Sequence, residues 1–289
     1  KGDVVALGAR RELFVDDFMI EALSGRAERR LQQPAPREIV IDHNAPWEGS
    51  GCGYHTIFQD GGLYRMYYKA WALKLGREYG KGGAAKDYWA CYAESTDGIH
   101  WRKPELGLHE FGGSRANNII LANGRMGEID LTVAEFCVFK DDNPAAPPEA
   151  RYKGFVLGRK PYGLVAIRSP DGIRWSLLAD KPVITEGAFD SQNLAFWDAE
   201  HGVYRAYWRY FTEGVTNETT WKTGGYRAIR TAVSRDFVNW SPGVSLDFGA
   251  DAPQHHRYTN AVKPYHRAPQ VLVGFPMRYL DRKWSDSMR

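Results

Sequence analysis

One short motif occurs three times in the chain, and it constrains the fold more than any other feature. Ser95-Thr-Asp97-Gly98-Ile-His-Trp101 returns as Ser169-Pro-Asp171-Gly172-Ile-Arg-Trp175 and, degraded, as Ser234-Arg-Asp236-Phe-Val-Asn-Trp240. The three tryptophans set a repeat of roughly 65–75 residues, a period that signals stacked units. The motif has the chemistry of a tight β-turn. Asp accepts hydrogen bonds from its own turn, Gly supplies a positive φ, and Trp caps the apolar end of the next strand. These turn acids, Asp97, Asp171 and Asp236, therefore read as structural.

An apolar strand precedes each motif: Tyr88-Trp-Ala-Cys-Tyr-Ala93, Gly163-Leu-Val-Ala-Ile167 and Tyr226-Arg-Ala-Ile-Arg-Thr-Ala-Val233. A second motif opens each unit. His55-Thr-Ile-Phe58-Gln-Asp60-Gly-Gly-Leu-Tyr64-Arg-Met-Tyr-Tyr68 resembles Leu194-Ala-Phe196-Trp-Asp198-Ala-Glu-His-Gly-Val-Tyr204-Arg-Ala-Tyr207. The middle copy runs from Phe139-Lys-Asp141 through a Pro-rich loop to Arg151-Tyr152-Lys-Gly-Phe155. Strand, Asp/Gly turn, aromatic strand is a hairpin, and Asp60, Asp141 and Asp198 belong to its turn. Four strands per unit make one blade of a β-propeller.

The sequence thus predicts an all-β, single-domain propeller of four-stranded antiparallel blades over residues 1–289. The blades fall near 45–104, 117–180 and 188–245, with a partial one from 257 whose strands run from Thr259 to Pro264 and Val271 to Pro276. The strand at 12–21 is expected to close the ring. The final blades read as incomplete, so further strands are expected from the native polypeptide or its assembly. No window sustains a helical period with caps. Residues 71–85, rich in Gly and Lys, read as a long functional loop.

With 38 Lys plus Arg against 35 Asp plus Glu, the net charge is only +3, which gives no case for a nucleic-acid partner. No apolar run approaches the length of a membrane span. Cys52, Cys91 and Cys137 read as buried strand thiols, with a Cys91–Cys137 bridge as the alternative.

Several segments carry a family resemblance: Leu13-Phe-Val-Asp-Asp-Phe-Met-Ile-Glu21, Pro46-Trp-Glu48-Gly, Gly62-Leu-Tyr-Arg-Met-Tyr-Tyr68, the Ser-x-Asp turns and Phe189-Asp190-Ser-Gln-Asn193. Together they resemble bacterial secreted proteins similar to family 32 and family 43 glycoside hydrolases. That resemblance implies five blades, a secreted or periplasmic location, and an axial funnel with one carboxylate from each of the first three blades. One acid would protonate the leaving oxygen, one would act from the other face of the sugar, and one would tune them. No Trp-x-x-Asp-Pro stands in the first blade and no Arg-Asp-Pro in the second.

The first strand of each blade begins near the axis, so the acids just upstream of Phe58, Phe139 and Phe196 are the candidates. These are Glu48 in the first blade, Glu128, Asp130 or Glu135 in the second, with Glu135 nearest the strand, and Asp190 in the third. Trp47, Tyr54, His55, Gln192, Asn193, His255, Tyr258 and Asn260 are candidate sugar contacts, because aromatic faces stack on sugars while amides and imidazoles read hydroxyls. His255-His256 makes a weak metal pair, since neighbours on a strand face opposite ways. No cofactor is expected, although the resemblance allows a structural cation such as calcium in the central channel.

The expected activity is glycoside hydrolysis of an oligosaccharide or a polysaccharide end. The alternatives are a phosphorylase, with Arg209, Arg257, Lys263 and Arg278 as phosphate ligands, and a non-catalytic carbohydrate-binding propeller.

Overall fold

The computed structural model describes residues 4–73 and 86–280. Most of the expected loop at 71–85, and the polar tail at 281–289, lie outside the described residues. Within them the chain is all-β. Helix is confined to two single 3₁₀ turns, Pro46–Glu48 and Pro148–Ala150. No helix among the described residues is long and apolar enough to cross a membrane.

The first sheet is an antiparallel meander of β1 (Gly51–Asp60), β2 (Leu63–Leu73), β3 (Lys86–Ser95) and β4 (Ile119–Ala122). The second runs in sequence order through β5 (Gly124–Met126), β6 (Ile129–Lys140), β7 (Tyr152–Lys160), β8 (Tyr162–Ser169) and β9 (Ser176–Leu177). The third holds β10 (Leu194–Asp198), β11 (Val203–Thr216), β12 (Trp221–Ser234) and β13 (Val244–Ser245). Two short ladders follow: β14 (His256–Arg257) pairs with β17 (Arg278–Tyr279), and β15 (Lys263–Tyr265) pairs with β16 (Ala268–Val273).

Two boundaries differ from the sequence reading. Residues 119–122 were expected to open the second blade, but they form the outer strand of the first sheet, where Ala122 sits opposite Trp89. The segment 12–21 forms no strand. Its apolar residues Phe14, Val15 and Phe18 are exposed, and Asp16 caps a local turn by accepting a hydrogen bond from the Phe18 amide.

The sheets pack face to face because their strands alternate large residues between two faces. Tyr67 of β2 faces the second sheet and packs near Phe136, whereas Tyr68 faces away. On β7, Val156 turns to the first sheet, and Phe155 and Leu157 turn to the third. A further apolar layer joins the third sheet to Val262 and Leu272. Strands covered on both faces explain the near-continuous apolar runs in the sequence. One strand of each sheet turns inward. β1, β6, β10 and residues 261–264 line one central cavity of about 750 Å3.

The repeated turns are superimposable in their bonding. In each, the Ser hydroxyl accepts from the next two turn amides and donates to the Asp, whose Oδ1 accepts two more amides at 2.7–2.9 Å. Gly98, Gly172 and Phe237 take the left-handed position, with φ of 78°, 77° and 66°. The hairpin acids fasten neighbouring sheets. Asp60 pairs with Arg65 at 2.9 Å and accepts the Tyr152 hydroxyl of the second sheet. Asp141 pairs with Lys153 and accepts the Tyr204 hydroxyl of the third at 2.7 Å. All three cysteines are free thiols, and Cys91 and Cys137 lie in separate apolar clusters.

Gly172 also touches the first sheet. A Cβ there would stand 2.5 Å from the Tyr67 hydroxyl, whereas at Gly98 the nearest atoms are 3.8 Å away. Gly172→Ala is therefore expected to cost more stability than Gly98→Ala. Both incur the left-handed penalty of about 1–2 kcal/mol, and only the first adds overpacking of about 1–3 kcal/mol. Urea denaturation of the two variants checks this; equal losses would contradict the packing of this turn on the first sheet.

Candidate active site

Two irregularities interrupt the inner strands where two of the candidate side chains stand, close enough to interact electrostatically. The β1–β2 register slips between Gly53 and Thr56, and Tyr54 within the slip has φ of 54°. The β6–β7 register slips between Thr132 and Cys137, and Glu135 lies within that slip. Such bulges kink a strand and redirect a side chain. The neighbours of Glu135 stay in the core, with Phe136 against the first sheet and Cys137 against the third.

Glu135 is 8% exposed, and its Oε2 has no hydrogen-bond partner among the described residues. Burial pushes its carboxyl up to about 8; the negative Asp190 adds to this, while Lys69, Arg159 and Arg209 oppose it. A carboxyl held there keeps its proton at neutral pH. Asp190 stands in the connection just before β10, with its side chain about half open. Burial raises its pKa above the ordinary value, against the pull of Arg209 and Arg227. Arg209 of β11, itself 2% exposed, donates from Nη2 to Asp190 Oδ1.

Aromatic rings stand against the neighbouring cations. The Lys69 ammonium sits 4.2 Å from the Tyr54 ring centre, and Arg209 sits 5.0 Å from that of Tyr258. Arg227 lies over Tyr279 at 3.9 Å and near Tyr258 at 5.9 Å. The Ser191 hydroxyl donates to the Tyr258 carbonyl at 2.6 Å, which ties the third sheet to the segment after it.

The structure therefore brings together Glu135, Asp190, Tyr54 and Tyr258 of the expected residues. Glu48 does not join them. It is buried on the face of the first sheet turned away from the second, where every lone pair is occupied. Tyr68 at 2.6 Å, Lys103 at 2.7 Å, the Ala45 amide at 2.8 Å and His43 at 3.1 Å surround it. These donors hold its carboxyl below the ordinary range despite burial. Trp47 packs on the same face and donates to Asn118 at 2.7 Å.

Three of the remaining expected contacts, Asn193, Gln192 and Asn260, hold backbone. Asn193 is fully buried and donates to the carbonyls of Phe189 and Ser191. Gln192 accepts from Asn260 and from the Ala261 amide, and Asn260 is buried beneath it. His55 lines the central cavity and meets His43 Nε2 at 2.9 Å. His255 contributes its carbonyl to Arg257, while His256 accepts from the Arg227 amide. Of the expected phosphate ligands, Lys263 bonds the Ile57 carbonyl and Arg257 covers Phe248, so they do not gather with Arg209.

Among the described residues, His43, Glu48 and Cys52 are the one set that brings three potential metal-ligand atoms within 4.8 Å of each other. Glu48 already neutralises the Lys103 ammonium there, so a cation would have to displace an ion pair. The sequence reading missed Lys69, Arg159, Ser191 and Arg227. A signal existed for one of them. Lys69 and Arg209 occupy the same place in the matched strands Gly62-Leu-Tyr-Arg-Met-Tyr-Tyr-Lys69 and Gly202-Val-Tyr-Arg-Ala-Tyr-Trp-Arg209.

No family model and no curated protein matches the sequence. Among solved structures, the chain is similar to glycoside hydrolases. One is a glycosyl hydrolase from Bacteroides ovatus, at 15% identity and a TM-score of 0.42, over 71% of this chain and 55% of that one. Another is a family 117 glycoside hydrolase from Zobellia galactanivorans, at 15% identity and a TM-score of 0.45, over 78% and 63%. An N-acetylgalactosamine deacetylase from F. plautii is similar at 13% identity and a TM-score of 0.43, over 80% and 65%. The chain thus spans between half and two thirds of the length of these proteins.

Proposed function

We propose that this chain forms the propeller of a glycoside hydrolase, with Glu135 as the acid that protonates the leaving oxygen and Asp190 as the carboxylate acting from the other face of the sugar. One observation carries the reading. Two carboxyl groups stand within electrostatic reach of each other but differ in environment: Glu135 is enclosed, with an oxygen that has no partner among the described residues, and Asp190 is half open and held by Arg209. Glycosidic cleavage needs such a protonated and ionised pair. Tyr54 and Tyr258 supply faces on which a sugar ring stacks. Five blades around the central cavity are the arrangement that the repeat and the sheet order support best. A polymeric or oligomeric glycan as substrate fits a secreted or periplasmic location.

The test is release of reducing sugar from a panel of oligosaccharides and polysaccharides. Turnover by the wild type that falls about 10²–10⁴-fold in Asp190→Asn is the expected result. Asn keeps the shape of Asp and removes its charge, so the fold should survive. Equal turnover by the variant would overturn the assignment of Asp190.

A further inference from the structure

We propose that the central cavity binds an amphipathic monocarboxylate, an apolar chain ending in a carboxylate, with Lys263 holding the charged end. Neither Glu135 nor Asp190 lines this cavity, so its ligand is independent of the glycosidase reading. At about 750 Å3 the cavity has the size of a small-molecule site, and its lining has the usual character, mostly apolar with a few polar groups. Ile57, Phe58, Val138, Phe139, Phe196 and Val262 supply apolar surface. Ile57 is 43% exposed, an apolar cost that a bound chain would remove.

Two lysines line the same space, and their situations differ. Lys140 is matched by Asp60 at 3.4 Å and by Asp142 at 3.9 Å. Lys263 donates to the Ile57 carbonyl at 3.1 Å, and among the described residues no carboxylate stands within ion-pair distance of it. The surrounding protein strips water from its ammonium and holds its pKa below the ordinary lysine value. A desolvated cation with one neutral acceptor is costly, and a carboxylate brought to it relieves that cost. Apolar walls with one unanswered cation fit a molecule of matching composition, a chain to cover the walls and a single anionic group. A sugar fits poorly, because its hydroxyls would lose water against the phenylalanine rings and find few partners.

Calorimetric titration with octanoate, decanoate and dodecanoate below their micelle concentrations, and with decan-1-ol, gives the test. Decanoate should bind with one molecule per chain. It should bind about 10- to 100-fold more tightly than the alcohol of the same length, the range of a hydrogen bond to a charged group. Each added CH2 should tighten binding by up to about 4-fold. Lys263 is exposed to the cavity, so Lys263→Met should keep the fold. In that variant decanoate should lose its advantage and bind like the alcohol. Equal affinities for decanoate and decan-1-ol in the wild type would overturn the inference, as would a decanoate affinity unchanged in Lys263→Met. Affinity that ignores chain length, or no saturable binding at all, would overturn it too. Sedimentation equilibrium showing self-association that decanoate does not alter would assign the cavity to a second copy of the chain and so overturn it.

Discussion

Replacing Glu135 by Gln is expected to lower turnover by about 10²–10⁴-fold and to leave the fold intact, the range that general acid help contributes. Gln fills the same volume but has no proton to give the leaving oxygen. The wild-type rate should have an alkaline limb near pH 8, where the buried carboxyl loses its proton.

The same substitution has a readout that needs no substrate. The carboxyl is raised from its ordinary value of 4.5 to about 8 in the native state. Below 4.5 both native and unfolded states hold the proton, so the group is neutral to stability. Between these values the unfolded chain has lost a proton that the native one keeps, so rising pH favours unfolding. The loss is at most about 1.4 kcal/mol per pH unit, and it ends above the native pKa. Gln does not titrate. Urea melts should therefore show Glu135→Gln gaining on the wild type from pH 4.5 to about 8. A difference that stays flat across that window would contradict the enclosed position of this carboxyl.

Asp141→Ala should be among the most destabilising changes available, at about 3–5 kcal/mol. Both charges of the Asp141–Lys153 pair are buried, at 7% and 3% exposure. Removing the carboxylate leaves the Lys153 ammonium with the Ala150 carbonyl at 3.1 Å as its remaining partner. It also strips the Tyr204 hydroxyl of the acceptor that fastens the second sheet to the third. The double variant Asp141→Leu/Lys153→Met should recover much of the loss, because no unpaired charge stays buried. Equilibrium urea denaturation measures both. A single variant as stable as the wild type would mean that this pair does not hold the sheets together.

The sequence made the fold largely legible because turns and hairpins are local. Ser169, Asp171 and Gly172 bond almost wholly to one another, so their spacing reports their structure directly. The sheet-fastening role of Asp60 and Asp141 was hidden, since their partners Tyr152 and Tyr204 lie in the next repeat. Of the candidate site, part was legible. Asp190 and Glu135 could be found by asking which acids precede or interrupt an inner strand. Glu48 met the same rule, yet Lys103, 55 residues away, claims it. Backbone slips at Tyr54 and Glu135 leave no residue signature comparable to a turn glycine, so the direction of those side chains was not readable. Residues 12–21 have strand-like composition but no partner edge among the described residues, and local composition cannot supply one.

We propose that Glu135 and Asp190 stand within electrostatic reach of each other and that Glu135 keeps its proton at neutral pH. Carbon-13 NMR of the glutamate carboxyls, with Glu135→Gln to assign the signal, tests it most directly. Glu135 is expected to titrate near pH 8 in the wild type and at a lower pH in Asp190→Asn, where the neighbouring negative charge is gone. Titration of Glu135 at its ordinary value, or at a pH that Asp190→Asn does not change, would contradict it.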